Sequence, residues 1–568
     1  MPKKIIIVGG VAGGASAAAR LRRLDEFAEI VLLERGAYVS FANCGLPYYI
    51  GKVIKERSKL EVVKPDIFLN RFNIDVRLNN EALSINREKK ELLVKDLLTD
   101  ETYSLNYDKL ILSPGAEPIR PPFKGIEDIP VFSLRTIPDT YELEDFIAKE
   151  SPKKAVVVGG GFIGLEMAEN LTEIGISVTI VELVDQVMIT LDREMAQYVH
   201  HELYRHDVNI VLGDGVDSFN KTADGQTIVK TQSGKEIETD FVVLAIGVKP
   251  ESHLAKDCGL ELGPRGHILV NAKMQTSDHS IYAVGDAVQI PHYVTKKGIS
   301  IALAGPANKQ GRIAADNIAN RESQYEGVLG AAVVKVFDIT VSQVGLNEKQ
   351  LKETDIEYEK VYLHPNNHAS YYPGFSKLAI KLLFEKNNGK ILGAQILGGQ
   401  GAEKRIDVIS TVMHFNGTVF DLEKLELTYA PPYGEAKDPV NMTGFIASNV
   451  IRGDVRVYHW QDVKKLIEEG AYMIDVRRDD EYENGTIEGA KHLSELVYRN
   501  RMDEIPKDKP VYLLCQEGFR AYITLRNLLQ REYDIYNLNG GYKTYIMSSS
   551  SQEELKEMAK SPPFRVIF

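Results

Sequence analysis

A solitary thiol, Cys44, stands in the run Ser40-Phe41-Ala42-Asn43-Cys44-Gly45-Leu46-Pro47. The thiolate is the reactive form of cysteine, and it opens disulfides by forming a mixed disulfide. No other cysteine lies three to six residues away, so Cys44 has no local dithiol partner. Its disulfide or persulfide partner must come from outside. Cys515 follows the apolar run Val511–Leu514 and opens the loop Cys515-Gln516-Glu517-Gly518-Phe519-Arg520, ahead of a helix predicted over Ala521–Leu529. At the mouth of a helix a sulfur meets backbone N–H groups and the positive helix end, which lower its pKa and stabilise an anion. Gly518 permits the tight loop and Arg520 closes it. The C-x4-R spacing encloses a small loop that suits a persulfide, one residue shorter than the phosphate-cradling C-x5-R loop. Cys515 is therefore read as a sulfur carrier. The charge of Glu517 inside the loop is expected to disfavour small anionic donors such as thiosulfate.

Two glycine turns must feed these sulfurs with electrons. The first follows Lys4–Val8: Gly9, Gly10, Val11, Ala12, Gly13 and Gly14, then a helix predicted over Ala15–Leu24 and a strand over Ile30–Leu33 ending at Glu34 and Arg35. Strand, glycine turn, helix, strand and acid form the dinucleotide-binding βαβ unit. Val11 stands where the second glycine is expected, so this fingerprint is imperfect. The second is complete: Ala155–Val158, then Gly159-Gly160-Gly161-Phe162-Ile163-Gly164, a helix over about 165–174, and the strand Val178–Val181 ending at Glu182. The first glycine makes the turn, the second admits a pyrophosphate and the third lets helix pack on strand. Glu182 is placed to accept from a ribose 2′-hydroxyl and to repel a 2′-phosphate, which favours NADH over NADPH without excluding the latter.

The chain has 568 residues, and at roughly 150 residues per domain it holds several domains. A net charge of −12 argues against a nucleic-acid partner. No run approaches about 20 apolar residues, so no membrane span is expected. The three cysteines, at 44, 258 and 515, form no disulfide framework and fit a reducing cytoplasm. Leu110–Gly115, which contains Ser113, and Val242–Gly247 read as crossings between domains. Ile281–Asp286 is a buried-looking strand that ends in Gly285 and Asp286. From about residue 330, Ala331–Phe337, Leu378–Phe384 and Ile391–Ile396 predict an antiparallel sheet, and Glu403–Phe415 a helix with Ile406, Ile409 and Met413 on one side. Beyond Asn449–Val457 a separate α/β unit runs to Phe568.

In that last unit Asp475-Val476-Arg477, Glu481, the run Gly485–Ala490 and the Cys515 loop together resemble a rhodanese domain. Residues 1 to about 448 resemble the flavin disulfide reductases that act through a single cysteine, on both fingerprints, on Ile281–Ala287 and on SFANCGLPYY. Within that superfamily the resemblance is to coenzyme A disulfide reductases, here with an appended rhodanese unit. It implies an α/β fold: an FAD domain over 1–150 and 246–328, an NAD(P) domain over 151–245, an α+β dimerisation domain over 329–448, a linker over 449–460 and a rhodanese domain over 461–568.

The resemblance also implies roles. FAD would meet Gly9–Gly14, Glu34, Arg35, Ser113, Gly115, Gly285 and Asp286, the last facing its ribityl chain. NADH or NADPH would meet Gly159, Gly161, Phe162, Ile163, Gly164 and Glu182. Cys44 would be the redox thiol, kept ionised by a helix amino terminus. Ser40 and Asn43 would touch the pantetheine arm of coenzyme A. Ser16, Arg20 and Arg23, on one helix face, would receive its phosphates, with Arg71 and Lys437 as further cations. Tyr371 and Tyr429 would enter the partner subunit's site in a homodimer and protonate a departing thiolate. The substrates implied are coenzyme A disulfide, coenzyme A persulfide and polysulfide, with sulfur relayed from Cys515. No metal is expected. The competing reading is an NADH oxidase or peroxidase whose rhodanese unit only senses or binds. Such enzymes carry a histidine in the first glycine turn, where this chain has Gly10 and Val11.

Overall fold

Ile5, Ile6 and Ile7 are all buried, the mark of a strand covered on both faces. In the computed structural model, which describes residues 2–222 and 225–561, this strand is the centre of a parallel sheet. The order is Ile281–Ala283, Lys109–Leu112, Lys4–Val8, Glu29–Glu34, Asp75–Leu78. The last seven residues of the expected rhodanese span, 562–568, lie outside the described residues. Helix Ala12–Leu24 lies against helix Ala304–Ile318, and a Cβ on Gly311 would come within 2.2 Å of the Gly13 carbonyl oxygen. A second parallel set follows: Ser177–Glu182, Lys154–Val158, Phe241–Leu244 and Val131–Phe132.

The chain divides into two compact units: Met1–Leu183 with Asp214–Val328, and Val184–Gly213 with Leu329–Phe568. The first holds both glycine turns and Cys44. The second contains an antiparallel sheet in the order Ala332–Val336, Ile339–Gly345, Ile391–Gly398, Leu378–Glu385, Tyr358–Leu363. Helix Ala402–His414 buries Ile406, Ile409 and Met413. A parallel sheet follows, in the order Val457–Tyr458, Ile535–Leu538, Val511–Leu514, Tyr472–Asp475, Lys491–His492. The predicted strands near 331, 378 and 391 are present. Ile339–Gly345 and Tyr358–Leu363, which the apolar runs did not mark, complete the sheet.

Lys381 lies in the sheet and is fully buried. Its ammonium is ringed by Asp192 at 2.7 Å, Glu348 at 2.5 Å and Glu194. Segment Val184–Gly213 is thus pinned to the sheet by charge as well as by packing. A buried lysine without partners would lose its proton; here the carboxylates hold its pKa well above the usual range. Lys381→Met removes the cation and leaves three buried carboxylates facing one another. The expected cost is about 3–5 kcal/mol, read as a lower denaturation midpoint, and raising the pH should worsen it.

Candidate functional site

The two glycine turns are built alike. Gly9 and Gly159 have φ of +95° and +106°, a conformation that favours glycine. A Cβ on Gly14 would come within 1.9 Å of the Gly9 carbonyl oxygen, and one on Gly164 within 2.0 Å of that of Gly159. In each turn the acid at the end of the second strand holds the loop. The Gly10 N–H donates to Glu34 at 2.9 Å, and the Gly160 N–H to Glu182 at 2.7 Å. Val11 and Gly161 occupy equivalent places with φ of −97° and −83°, which any residue adopts. The missing glycine is thus no obstacle to the first turn. What differs is space: a Cβ on Gly161 would meet nothing within 4 Å. That open cradle at a helix amino terminus fits a pyrophosphate.

Around the first turn the crossing strands converge. The Ser113 hydroxyl would lie 3.0 Å from a Cβ on Gly13 and 3.7 Å from one on Gly285. The Gly285 N–H donates to Gln310 at 2.7 Å. Gly115 lies beside the guanidinium of Arg135, which is 3.8 Å from the Asp286 carboxylate. Arg35 is exposed and pairs with Glu251 at 2.6 Å.

Cys44 lies on the short helical turn Asn43–Gly45, which leads into Leu46–Ile50, and its residue is exposed. Ser40, at φ +49°, starts the bend, and its N–H donates to the Gly10 carbonyl. Asn43 Oδ1 is buried without a partner, an acceptor aimed where a bound group could satisfy it. The expectation that a helix amino terminus keeps Cys44 ionised is not met by the protein groups. Partial burial raises its pKa, and the charges of Glu166 and Asp286 raise it further. The following helix has only five residues, and burial leads the balance toward the neutral thiol.

Glu166 was not singled out by the sequence. It lies in the first turns of helix Phe162–Glu173, accepts from the Tyr48 hydroxyl at 3.4 Å, and is pushed up to about 7, chiefly by burial. Its only sequence signal is a carboxylate two residues past the third glycine. The CoA-directed cations are less uniform than expected. Arg20 pairs with Asp316 at 2.7 Å, and the Ser16 hydroxyl lies 2.5 Å from Asn308. Arg23, Arg71 and Lys437 are exposed.

In the second unit the Tyr371 and Tyr429 hydroxyls are hydrogen-bonded at 2.6 Å. Both residues are exposed, with Tyr433 and Phe375 also uncovered. Their two segments are held together by Arg405, which is buried, pairs with Asp438 at 3.1 Å and donates to the Asn367 carbonyl at 2.7 Å.

Cys515 ends the strand Val511–Leu514 and is 1% exposed. Gly518, at φ +94°, starts helix Phe519–Leu529 and donates its N–H to the sulfur at 3.2 Å. The N–H groups of Glu517, Gly518 and Ala521, with Arg520, lower the pKa, yet burial dominates and raises it. Arg520 is held by two bonds of 2.6 Å to Glu481. Arg477 bonds Asp475, the Gly485 carbonyl and Gln516, so the DVR and Gly485 segments brace the loop. The Glu517 carboxylate contacts Lys377 at 2.9 Å and lies 3.9 Å from Lys543.

Two glycine turns of dinucleotide-binding geometry and an exposed thiol, in a chain that also holds an antiparallel sheet domain and a loop closed around the Cys515 sulfur, fit a flavin- and pyridine-nucleotide-dependent disulfide oxidoreductase. The chain belongs to the pyridine nucleotide-disulphide oxidoreductase family. It matches that family over residues 3–311, its dimerisation domain over 331–439 and a rhodanese-like domain over 459–548. It is 35% identical over 449 residues to coenzyme A disulfide reductase of Staphylococcus haemolyticus, covering 79% of this chain and all of that one. The crystal structure of reduced CoADR-RHD from Bacillus anthracis is similar at 50% identity and TM-score 0.95, covering 96% of this chain and 98% of that one. The NAD-dependent persulfide reductase from A. fulgidus is similar at 36% identity and TM-score 0.88, covering 96% and 100%. FAD and NAD(P)H are the cofactors, and the substrate is a small molecule. Among the described residues no helix is long and apolar enough to cross a membrane.

Glu166→Gln removes a negative charge that opposes the Cys44 thiolate. Below about pH 7 Glu166 is protonated and the variant should match the wild type; above it the variant thiol should react faster. The alkylation midpoint of the Cys44 peptide, followed by mass spectrometry, should fall by roughly half a unit to one unit.

Proposed function

We propose that the chain reduces coenzyme A disulfide and coenzyme A persulfide with NADH, through Cys44 alone, and that Cys515 supplies sulfane sulfur. The observation that carries this is the exposed, solitary Cys44 thiol between Asp286 and Glu166, with all three cysteines free. Bound FAD supplies the electron pair drawn from NADH. The Cys44 thiolate attacks a sulfur of the substrate and forms a Cys44–coenzyme A disulfide. The bond that breaks releases a coenzyme A thiolate from the disulfide, or hydrosulfide from the persulfide. One chemistry therefore serves both substrates. Reductive cleavage of the mixed disulfide then returns Cys44 and frees coenzyme A as its thiol.

Ser40 and Asn43 flank the sulfur and are assigned to the pantetheine arm. Arg23 and Arg71 are open to its phosphates; Arg20 must trade Asp316 for them. Tyr371, Tyr429 and Lys437, all exposed, are offered to the partner subunit's site in a homodimer, where the bonded phenol pair protonates the leaving thiolate. FAD is assigned to Gly9–Gly14, Glu34, Arg35, Ser113, Gly115, Gly285 and Asp286. NADH is assigned to the Gly159–Gly164 turn and Glu182. After Glu182 come Leu183, Val184 and Asp185, a run without a cation for a 2′-phosphate. The free cysteines suit a reducing cytoplasm.

Mass spectrometry of purified, non-reduced protein should show coenzyme A on the Cys44 peptide. Cys44→Ser should lower coenzyme A disulfide turnover by about a thousandfold or more, the scale of losing a covalent nucleophile. Rapid peroxide-dependent NADH loss with no thiol product would overturn the proposal. Cys515→Ser should abolish sulfur transfer from polysulfide to coenzyme A; undiminished polysulfide-dependent NADH oxidation in that variant would make the rhodanese-like domain a binding module.

A further inference from the structure

The Glu517 carboxylate points away from the task expected of it. Its backbone N–H serves the Cys515 sulfur, while its side chain reaches Lys377, just ahead of the strand Leu378–Glu385 in the dimerisation domain. The Lys377 ammonium also donates to the His364 carbonyl at 3.2 Å. Lys543 stands on the other side of Glu517, mostly buried, its pKa lowered to about 8 by burial. Two cations thus face one carboxylate, and its charge is spent on them.

The same loop is held from below. The Tyr542 N–H donates to the Cys515 carbonyl at 2.8 Å, and the Lys543 N–H to that of Gln516 at 2.9 Å. This bracing segment is itself docked on the dimerisation domain. Asn539 accepts from the Tyr362 N–H at 2.9 Å and donates to the Lys360 carbonyl at 2.8 Å, and Thr544 meets His364 at 2.9 Å. Each of residues 515, 516 and 517 therefore has a tether, and the tether of Glu517 runs directly to the neighbouring domain.

We propose that Glu517 is a positioning residue: its ion pair with Lys377 ties the sulfur-carrying loop to the dimerisation domain and fixes the N–H cradle around Cys515. This rests on Cys515 being the sulfur carrier. Its consequence is that sulfur transfer depends on the neighbouring domain, and that thiosulfate is not turned away by charge repulsion from Glu517.

The test uses the full-length holoenzyme and two readouts. In Glu517→Ala and in Lys377→Ala, transfer of sulfur from polysulfide to cyanide should fall about fivefold in kcat with little change in KM. The alkylation midpoint of the Cys515 peptide should rise by roughly half a unit. The double alanine variant should be no worse than Glu517→Ala alone, and Lys377→Arg, which keeps the ion pair, should retain most of the wild-type transfer. Additive losses, an unmoved alkylation midpoint, or a selective gain of thiosulfate turnover in Glu517→Ala would each overturn the proposal. The alkylation profile reads the tether whether or not sulfur is relayed to Cys44, and Cys515→Ser tests the carrier role separately.

Discussion

The structure depends on one constraint: backbone N–H groups at the start of a helix have no partner within that helix. Three times the chain runs off the end of a parallel strand into a helix and leaves such groups exposed, at Gly9–Gly14, at Gly159–Gly164 and at Cys515–Arg520. In the first two turns such groups suit phosphates, and in the third the Gly518 N–H meets the Cys515 sulfur. Around each, the fold supplies a fixed brace. Glu34 and Glu182 hold the N–H groups of Gly10 and Gly160; the N–H groups of Tyr542 and Lys543 hold the Cys515 loop.

Cys44 follows a different rule. Its turn is short, and its protein surroundings work against the thiolate. A neutral thiol is less reactive toward stray electrophiles.

Much of this was legible in the sequence because it rests on local geometry. Positive φ at Gly9, Gly159 and Gly518 can be inferred from glycine placement, and a cysteine between an apolar run and a glycine marks its own loop. The strand Tyr358–Leu363 was not legible: its alternation is broken by Glu359 and Lys360, which bond His459 and Glu348. Long-range pairs leave no periodic trace either. Arg20 finds Asp316 across 296 positions, and Lys377 finds Glu517 across 140. Arg20, expected to meet a ligand, and Glu517, expected to repel one, are each engaged by another part of the fold. Glu166 was missed because its effect on Cys44 arises only when two separate strand-to-helix turns are folded together.

Asn539 has a further consequence. Tyr358–Leu363 is the outermost strand of its sheet, and the Asn539 amide supplies the donor and acceptor that a neighbouring strand would otherwise provide. The carboxy-terminal domain therefore acts as a seal on an open β-edge. Coenzyme A disulfide reductases of about 450 residues align without that portion. Shortening this chain to their length would free the outward Tyr362 N–H and Lys360 carbonyl of that edge, groups to which a strand of another copy can pair.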